Sequence, residues 1–262
     1  MPGGKYDSSK TRVAPLFSAL WAKGRNWLPD LLALPEEGSP DAKSAPGDLT
    51  LKEGYWEGHP AEKCLNPPVS LLSWMIRNAA SLRSMARELD GRRQLLAAGD
   101  PETVQNALQL LRSENESRGW YIFEGPTCPD AFLIAEDALV VVEGKRTEAG
   151  TTVETKWLPG RHQIWRHIDA AWEIRGRRAV YGLLIVESDP DSRDGAVPEV
   201  WYEAGRSCLY PDALSTSFPH RSALEVAAIS SCFLGVTTWR KVCERFQIDW
   251  KALPHEVTSP GS

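Results

Sequence analysis

The alternation of apolar and polar residues along the chain predicts a group of strands with helices before and after it. After Val69, apolar residues recur every three or four positions, as they do on one face of an amphipathic helix. These residues are Leu72, Met75, Ile76, Ala79, Ala80, Leu82 and Met85. A second helix is predicted to begin at Asp100-Pro101, because Asp is a good N-cap and Pro is tolerated in the first helical turn.

Short runs rich in Val, Leu, Ile and Phe predict strands, because pleated sheets favour these residues. The predicted strands are 120–123, 130–135, 138–145 and 179–186. Further helices are predicted over 160–175, near 222–234 and near 237–246. The order helix, three strands, helix, strand indicates an α/β fold in which helices flank a mixed sheet.

The first part of the chain is less regular. Gly, Pro, Ser and Asp cluster in residues 36–48, which is typical of a loop or linker. Several large apolar residues nevertheless argue against simple disorder: Trp21, Trp27, Leu28, Leu31, Leu32, Tyr55 and Trp56. We therefore expect residues 1–68 to form a helical or irregular N-terminal extension that docks on a main domain of residues 69–262.

The charge balance limits the kinds of partner that the protein can hold. The chain has 262 residues, of which 25% are charged, and its formal net charge is -5. A nucleic-acid-binding protein needs cationic surface against phosphates, so this balance argues against such a partner unless basic residues gather locally. The densest basic run would supply a local rim, although its members could equally be solvated charges: Lys145, Arg146, Lys156, Arg161, Arg166, Arg175, Arg177 and Arg178.

The cysteines and the apolar runs indicate a reducing, non-membrane environment. The five cysteines are scattered and show no Cys-x-x-Cys spacing: Cys64, Cys128, Cys208, Cys232 and Cys243. We expect reduced, mostly buried thiols rather than a zinc or iron–sulfur site. Residues 1–10 do not resemble a secretory signal, and the most apolar run, 138–142, is too short to span a bilayer. These features favour a cytoplasmic protein.

Two carboxylates are predicted to face each other across a hairpin. If the strands pair antiparallel around a turn at residues 136–137, the register sets Asp130 opposite Glu143. Directly opposed residues project to the same face with their Cβ atoms about 5 Å apart. Lys145 shares that face, because side chains alternate along a strand.

Such a pair of carboxylates favours a divalent metal ion. Asp130 and Glu143 would repel each other if both were ionised and unpaired, and a hard cation such as Mg²⁺ prefers oxygen ligands. The backbone carbonyl of Gly144 can add a third oxygen, and Lys145 can orient or polarise an attacking water. The alternative is a surface salt-bridge cluster, which would carry no function. Against it, residues 140–142 are all valine, so the strand is predicted to be buried on both faces.

Pro129-Asp130 followed by Glu143-Gly144-Lys145 resembles the motif of the PD-(D/E)XK, or restriction-endonuclease-like, superfamily. The resemblance covers about residues 101–186. It implies that Asp130 and Glu143 bind Mg²⁺ or Mn²⁺ and that Lys145 assists the hydrolysis of a phosphodiester bond. It also implies a nucleic-acid partner, and DNA is expected because most members act on DNA.

The same resemblance implies two further site residues. A Gln often lies on the helix after the lysine strand, and Gln163 fits that position. An acid on the helix before the first strand has no clear match; Glu102 is the first choice, with Glu88 and Glu114 behind it. His162 and His167 are five residues apart, so they do not share a helical face as metal ligands would. We interpret them as structural or phosphate-contacting.

Two other functions stay open. One is a catalytically inactive nuclease-like scaffold or nucleic-acid-binding subunit of a larger complex, which the net charge of -5 favours. The other is an RNA-processing enzyme with the same chemistry. The sequence does not choose between a homodimer and a complex with another protein, and fold alone does not decide function.

Overall fold

The strands of the protein form one sheet that lies between layers of helices. The structure, a computed structural model, describes residues 7–59, 62–82, 91–113, 119–148, 150, 155, 157–189, 191–192 and 194–256. Within these residues the strands are β1 (Glu36–Glu37), β2 (Leu51–Trp56), β3 (Ala131–Ala135), β4 (Ala138–Gly144), β5 (Ala179–Val186) and β6 (Phe233–Thr238). The α-helices are α1 (Ala14–Ala22), α2 (Leu28–Leu32), α3 (Val69–Arg77), α4 (Gly91–Ala97), α5 (Pro101–Ser113), α6 (Gln163–Ile174), α7 (Glu199–Ser207), α8 (Pro211–Ser217), α9 (Ala223–Ser230) and α10 (Trp239–Arg245). A π-helical turn, Ser9–Val13, precedes α1.

The sheet is mixed, as the sequence predicts. Its strand order is β1-β6-β5-β4-β3-β2. β2, β3 and β4 pair antiparallel, whereas β4, β5 and β6 are parallel, and β1 closes the far edge antiparallel to β6. α6 makes the crossover from β4 to β5, which the parallel pairing of two consecutive strands requires. The α/β class and the flanking helices are therefore confirmed.

The register of the β3–β4 hairpin is also the predicted one. The first pair joins Ala131 to Val142 and the last joins Ile134 to Leu139. Continuing the register by one residue sets position 130 opposite position 143. Every residue of β4 is buried, because helices cover both faces of the sheet at this strand.

Those two faces have separate apolar cores. Val140 and Val142 of β4 pack with α1 and α10 on one face. Leu139 and Val141 point the other way and pack against α6, whose Trp165 is fully buried. Since alternation along β4 assigns each residue to one core, it also decides which face the charged residues at its end occupy.

Three parts of the predicted secondary structure are wrong. Residues 1–68 are not solely helical or irregular, because β1 and β2 from this segment belong to the sheet. Residues 120–123 form no strand, and the strand that pairs with β3 on the side away from β4 is β2. β6 lies where we predicted the end of one helix and the start of the next. No helix among the described residues is long and apolar enough to cross a bilayer.

A helical lobe, made of the described residues between 62 and 128, separates β2 from β3. α3, α4 and α5 pack there around an apolar cluster of their own, which Trp157 joins from outside the lobe. At its neck, Leu65 and Thr127 exchange two backbone hydrogen bonds of 2.8 and 2.9 Å. The neighbouring Cys64 and Cys128 form a disulfide. The expectation of reduced thiols is wrong for this pair, whereas the other three cysteines are free and buried, as expected.

Candidate active site

The carboxyl end of β4 carries two charged residues on the face that α6 covers. Glu143 follows Leu139 and Val141 onto this face, and Lys145 comes next by alternation. Their side chains form an ion pair, with Lys145 Nζ 2.8 Å from Glu143 Oε1. Glu143 is 2% exposed and Lys145 is 7% exposed, so the pair is not the solvent-exposed surface cluster that was the alternative.

Asp130 lies just before β3 and joins this pair from the opposite side of the hairpin. Its Oδ2 accepts the backbone N–H of Gly144 at 2.7 Å, and its Oδ1 accepts the hydroxyl of Ser9 at 3.0 Å. Besides burial, the negative charge of Glu143 raises the pKa of Asp130 and the positive charge of Lys145 lowers it, so both groups lie near this carboxylate. The hairpin therefore brings the three predicted groups together.

A proline opposite Gly144 interrupts the backbone hydrogen bonds between β4 and the segment that precedes β3. Lys145 exchanges backbone hydrogen bonds with β5 and its extension, so the N–H and C=O groups of Gly144 point toward β3. The register would pair Gly144 with Pro129, which has no N–H to donate. The ladder thus cannot supply a donor to the Gly144 carbonyl. Gly is also required sterically, because an added Cβ would lie 2.7 Å from the ring of Trp239.

α6 adds two side chains to the site. Lys145 Nζ donates to Gln163 Oε1 at 3.2 Å, so Gln163 lies where the resemblance places it. His167 Nε2 lies 2.8 Å from Glu143 Oε2, and its Nδ1 lies 2.8 Å from the hydroxyl of Thr127. Asp130, Glu143, Lys145, Gln163 and His167 are hereafter the site cluster.

The position of His167 in the site does not follow from its spacing to the other histidine of this segment. Its distance of five residues from His162 indicates that the two do not share a helix face, and in the structure His162 is the N-cap residue that precedes α6. The informative spacing is that from Gln163, which lies four residues earlier and therefore on the same face of α6. That spacing, beside the lysine strand, is the signal that identifies His167 as a site residue.

The electrostatics of the site cluster are unbalanced. Burial, together with the charge of Glu143, raises the pKa of Asp130 to about 8. Burial also opposes ionisation of Glu143, but the hydrogen bond from His167 and the charge of Lys145 outweigh it and lower its pKa. For Lys145, the charge of Glu143 outweighs burial and raises the pKa. One carboxylate is thus matched by the ammonium group, and the second has no ion-pair partner among the described residues.

Glu102, the first choice for an upstream acid, does not complete this cluster. Glu102 is exposed in the first turn of α5 and lines a surface pocket with Asp100 and Trp120, away from the site cluster. Glu88 and Glu114 lie outside the described residues. In the structure, the segment that reaches Asp130 from before β2 is the π-helical turn, and it supplies the hydroxyl of Ser9 instead of an acid.

The basic run does not form the continuous rim that we considered. Arg161 is buried and binds Glu124 and Asp169. Arg146 binds Glu187 and the hydroxyl of Thr11. Residues 177–178 precede β5, so they lie at the end of the strands opposite the carboxyl end of β4. Lys156 lies outside the described residues. Arg166, on α6 next to His167, is partly exposed and pairs with Glu124.

The site offers the kinds of oxygen ligand that a magnesium-like ion prefers. Among the described residues no group of three or more His, Cys, Asp or Glu side chains is arranged to hold a metal. Mg²⁺, however, is commonly bound by one or two carboxylates and keeps several waters. Asp130, Glu143 and the carbonyl of Gly144 provide that kind of set. The raised pKa of Asp130 marks a place where a cation would be favourable.

Comparisons with protein-family models, curated proteins and solved structures find no match to this chain. The resemblance to the PD-(D/E)XK superfamily therefore rests on the short motif itself. That motif is Pro129-Asp130 with Glu143-Gly144-Lys145, carried by the two strands of one hairpin.

Proposed function

We propose that the chain is a metal-dependent nuclease that hydrolyses phosphodiester bonds, with DNA as the expected substrate. The observation that carries this proposal is that the carboxylate of Asp130 and the buried carboxylate of Glu143 lie together beside the ammonium group of Lys145. A restriction-endonuclease-like core is the finer fold assignment that goes with it. Three neighbouring antiparallel strands, a helical crossover and a parallel strand are consistent with that assignment.

Each residue has a role that follows from its contacts. The carboxylates of Asp130 and Glu143 and the carbonyl of Gly144 would hold Mg²⁺ or Mn²⁺. When bound, the cation neutralises negative charge that develops on the phosphate. Lys145 has three N–H donors; two are directed at Glu143 and Gln163, and the third can orient the attacking water or a phosphate oxygen.

The start of α6 suits an anionic substrate. This helix begins at Gln163, and no described side chain caps its first turn. The first N–H groups of a helix lack intrahelical partners, and the helix dipole favours negative charge there. Because Gln163 contacts Lys145, these donors lie next to the ammonium group and could hold the scissile phosphate.

A non-catalytic scaffold is the second candidate, and one observation favours it. Each carboxylate oxygen of Asp130 and Glu143 already accepts a protein donor: Ser9, Gly144, Lys145 or His167. A cluster saturated in this way can be stable without a metal. A carboxylate oxygen has more than one lone pair, however, so these contacts leave room for a cation.

Cleavage assays separate the candidates. Purified protein with Mg²⁺ or Mn²⁺ is expected to cut at least one of supercoiled plasmid, linear duplex DNA, single-stranded DNA and RNA. Lys145→Ala is expected to reduce the rate by about 10²–10⁴-fold, the range typical of a residue that assists proton transfer. Lys52→Ala is the matched control, because Lys52 is an exposed lysine paired with Glu136 at the opposite end of the hairpin.

The results also distinguish substrates. Cleavage of RNA alone would identify the RNA-processing alternative. If wild-type protein leaves every substrate intact with both metals, or if Lys145→Ala cleaves as fast as Lys52→Ala, the nuclease proposal is wrong. The scaffold then becomes the better account of the site cluster.

A further inference from the structure

A chain of two hydrogen bonds connects the neck of the helical lobe to the proposed metal site. Thr127 Oγ lies 2.8 Å from His167 Nδ1, and His167 Nε2 lies 2.8 Å from Glu143 Oε2. His167 is fully buried and Thr127 is 5% exposed. Solvent therefore cannot replace either contact without a rearrangement.

The protons in this chain have a defined order. An ionised carboxylate only accepts hydrogen bonds, so His167 must donate from Nε2 to Glu143. In the neutral ring Nδ1 is then the acceptor, and Thr127 donates to it. Both ring nitrogens therefore have a hydrogen-bond partner.

Glu143 is consequently held on both of its oxygens. Lys145 contacts Oε1 at 2.8 Å and His167 contacts Oε2 at 2.8 Å. Two donors on opposite oxygens restrict rotation of the carboxylate about its terminal torsion, which is otherwise broad. The helix that carries His167 cannot shift easily, because Trp165 and Ile168 pack it against the sheet.

Thr127 is equally well fixed. It exchanges backbone hydrogen bonds with Leu65, and the adjacent Cys128 is bonded to Cys64. Its hydroxyl therefore approaches His167 from a segment tied at the neck of the lobe. The position of the ring is determined at both nitrogens by parts of the molecule that are themselves anchored.

We infer that His167 is a positioning residue: held by Thr127, it orients Glu143 for the cation. This inference rests on the proposed function and deepens it, because it identifies residues outside the ligands that determine cation affinity. Partners behind a metal ligand typically change affinity by 10–100-fold when they are removed. The expected consequence is a loss of cation binding even when no nucleic acid is present.

Four variants test this inference through Mn²⁺ binding measured calorimetrically on the full chain without nucleic acid. His167→Leu removes both contacts and is expected to weaken Mn²⁺ binding by about 10–100-fold. His167→Gln retains an N–H donor near the Nε2 position and is expected to recover part of the loss. Thr127→Val removes the hydroxyl at nearly constant shape and is expected to weaken binding less than His167→Leu does. Thr127→Ser restores the hydroxyl and is expected to bind like wild type.

Thermal unfolding of each variant identifies any that fail to fold. If His167→Leu fails to fold, the comparison of Thr127→Val with Thr127→Ser carries the test. Wild-type Mn²⁺ affinity in folded His167→Leu, or equal affinity in Thr127→Val and Thr127→Ser, overturns the inference. If wild type binds Mn²⁺ and Lys145→Ala abolishes cleavage while these variants bind normally, the inference alone is wrong. If wild type neither binds Mn²⁺ nor cleaves, both proposals are wrong.

Discussion

Two buried groups of charge border α6, and they differ in how the charges are matched. In the arginine cluster (Glu124, Arg161, Asp169 and Arg221), Asp169 is fully buried and lies 2.6 Å from Arg161 and 2.9 Å from Arg221. Burial opposes ionisation of Asp169, but the contact with His220, whose Nε2 lies 3.2 Å from Oδ2, and the charges of both arginines outweigh it and lower its pKa. In the site cluster, burial and a neighbouring acid instead raise the pKa of Asp130 to about 8.

The contrast separates a structural ion cluster from a candidate functional one. Arg161 bridges Glu124 and Asp169, and Arg221 adds a second cation. These charges complete one another, so an added ligand would gain little. The site cluster instead gathers two acids around a single lysine, and an added cation would complete it. Perturbed pKa values in such a setting are typical of functional sites.

The largest effect on stability is expected from breaking the arginine cluster. Arg161→Leu leaves Glu124 and Asp169 buried without their shared cation. Removing one partner of a buried ion pair typically destabilises a protein by about 3–5 kcal/mol. Urea denaturation should show this loss in the free energy of unfolding.

The control for Arg161→Leu is Arg206→Leu, which removes an arginine that is 37% exposed and pairs with Glu199 and Glu203. Exposed pairs contribute about 0–1 kcal/mol. If the two variants lose the same free energy, the arginine cluster is not the structural element that its burial indicates.

The disulfide is expected to have the next largest effect. Replacing Cys64 and Cys128 by serine, or reducing the bond, removes a cross-link between positions 64 residues apart and should lower the free energy of unfolding by about 2–4 kcal/mol. A reductant should therefore lower the Tm of wild type and leave that of the double variant unchanged. Thiol titration of denatured, unreduced wild type should detect three free thiols; five would show that the bond does not form.

At the site cluster, removing a charge by Asp130→Asn is expected to raise the free energy of unfolding, and by less than the two losses above. The folded state raises the pKa of Asp130 from an ordinary 3.8 to about 8 and so favours its neutral form. Without a divalent cation, the free energy of unfolding should fall as the pH rises from 4 to 8, because the unfolded chain loses this proton first. Asp130→Asn keeps the side chain neutral, so it should remove this pH dependence and abolish cleavage. Asp130→Asn should raise the free energy of unfolding at pH 8 by about 1–3 kcal/mol. The gain is limited because Asp130 is partly accessible to water.

Denaturation at pH 5 and pH 8 in EDTA, repeated with Mg²⁺ at pH 8, measures this effect. Mg²⁺ should stabilise wild type more than Asp130→Asn. Asp137→Asn is the control, because Asp137 is exposed in the turn of the same hairpin. A variant at position 130 that is less stable than wild type at pH 8 would mean that the two clusters do not differ as described.

The parts of the fold that follow from local pattern could be predicted from sequence. The register of the β3–β4 hairpin follows from a short symmetric turn and strict alternation, and it was sufficient to bring Asp130, Glu143 and Lys145 together. β5 is an apolar run with clear ends, and its predicted bounds, 179–186, are the observed ones. These elements need no information from distant residues.

The misplaced elements depend on distant partners. β2 contains Lys52, Glu53 and Gly54, so it has little strand character until it pairs with β3, about 80 residues later in the chain. Residues 120–123 have an apolar pattern that suits a strand, but they fill the core of the helical lobe instead. Short apolar runs are ambiguous in this way. His167 was missed because its role requires Thr127 and Glu143, which only the fold brings to it.

The neck of the helical lobe has a consequence for how the chain can vary. The two chain segments at the neck pass each other with the Cα atoms of Cys64 and Cys128 only 4.0 Å apart. Because the two ends of the lobe lie so near each other, a tight turn could join them in its place. α3, α4 and α5 therefore form a module that can be exchanged or removed. In a variant without the module, Trp157 would have to be replaced, because its large side chain packs into the module's core. Lineages or designers could thus change what surrounds the site cluster while retaining the sheet that positions it.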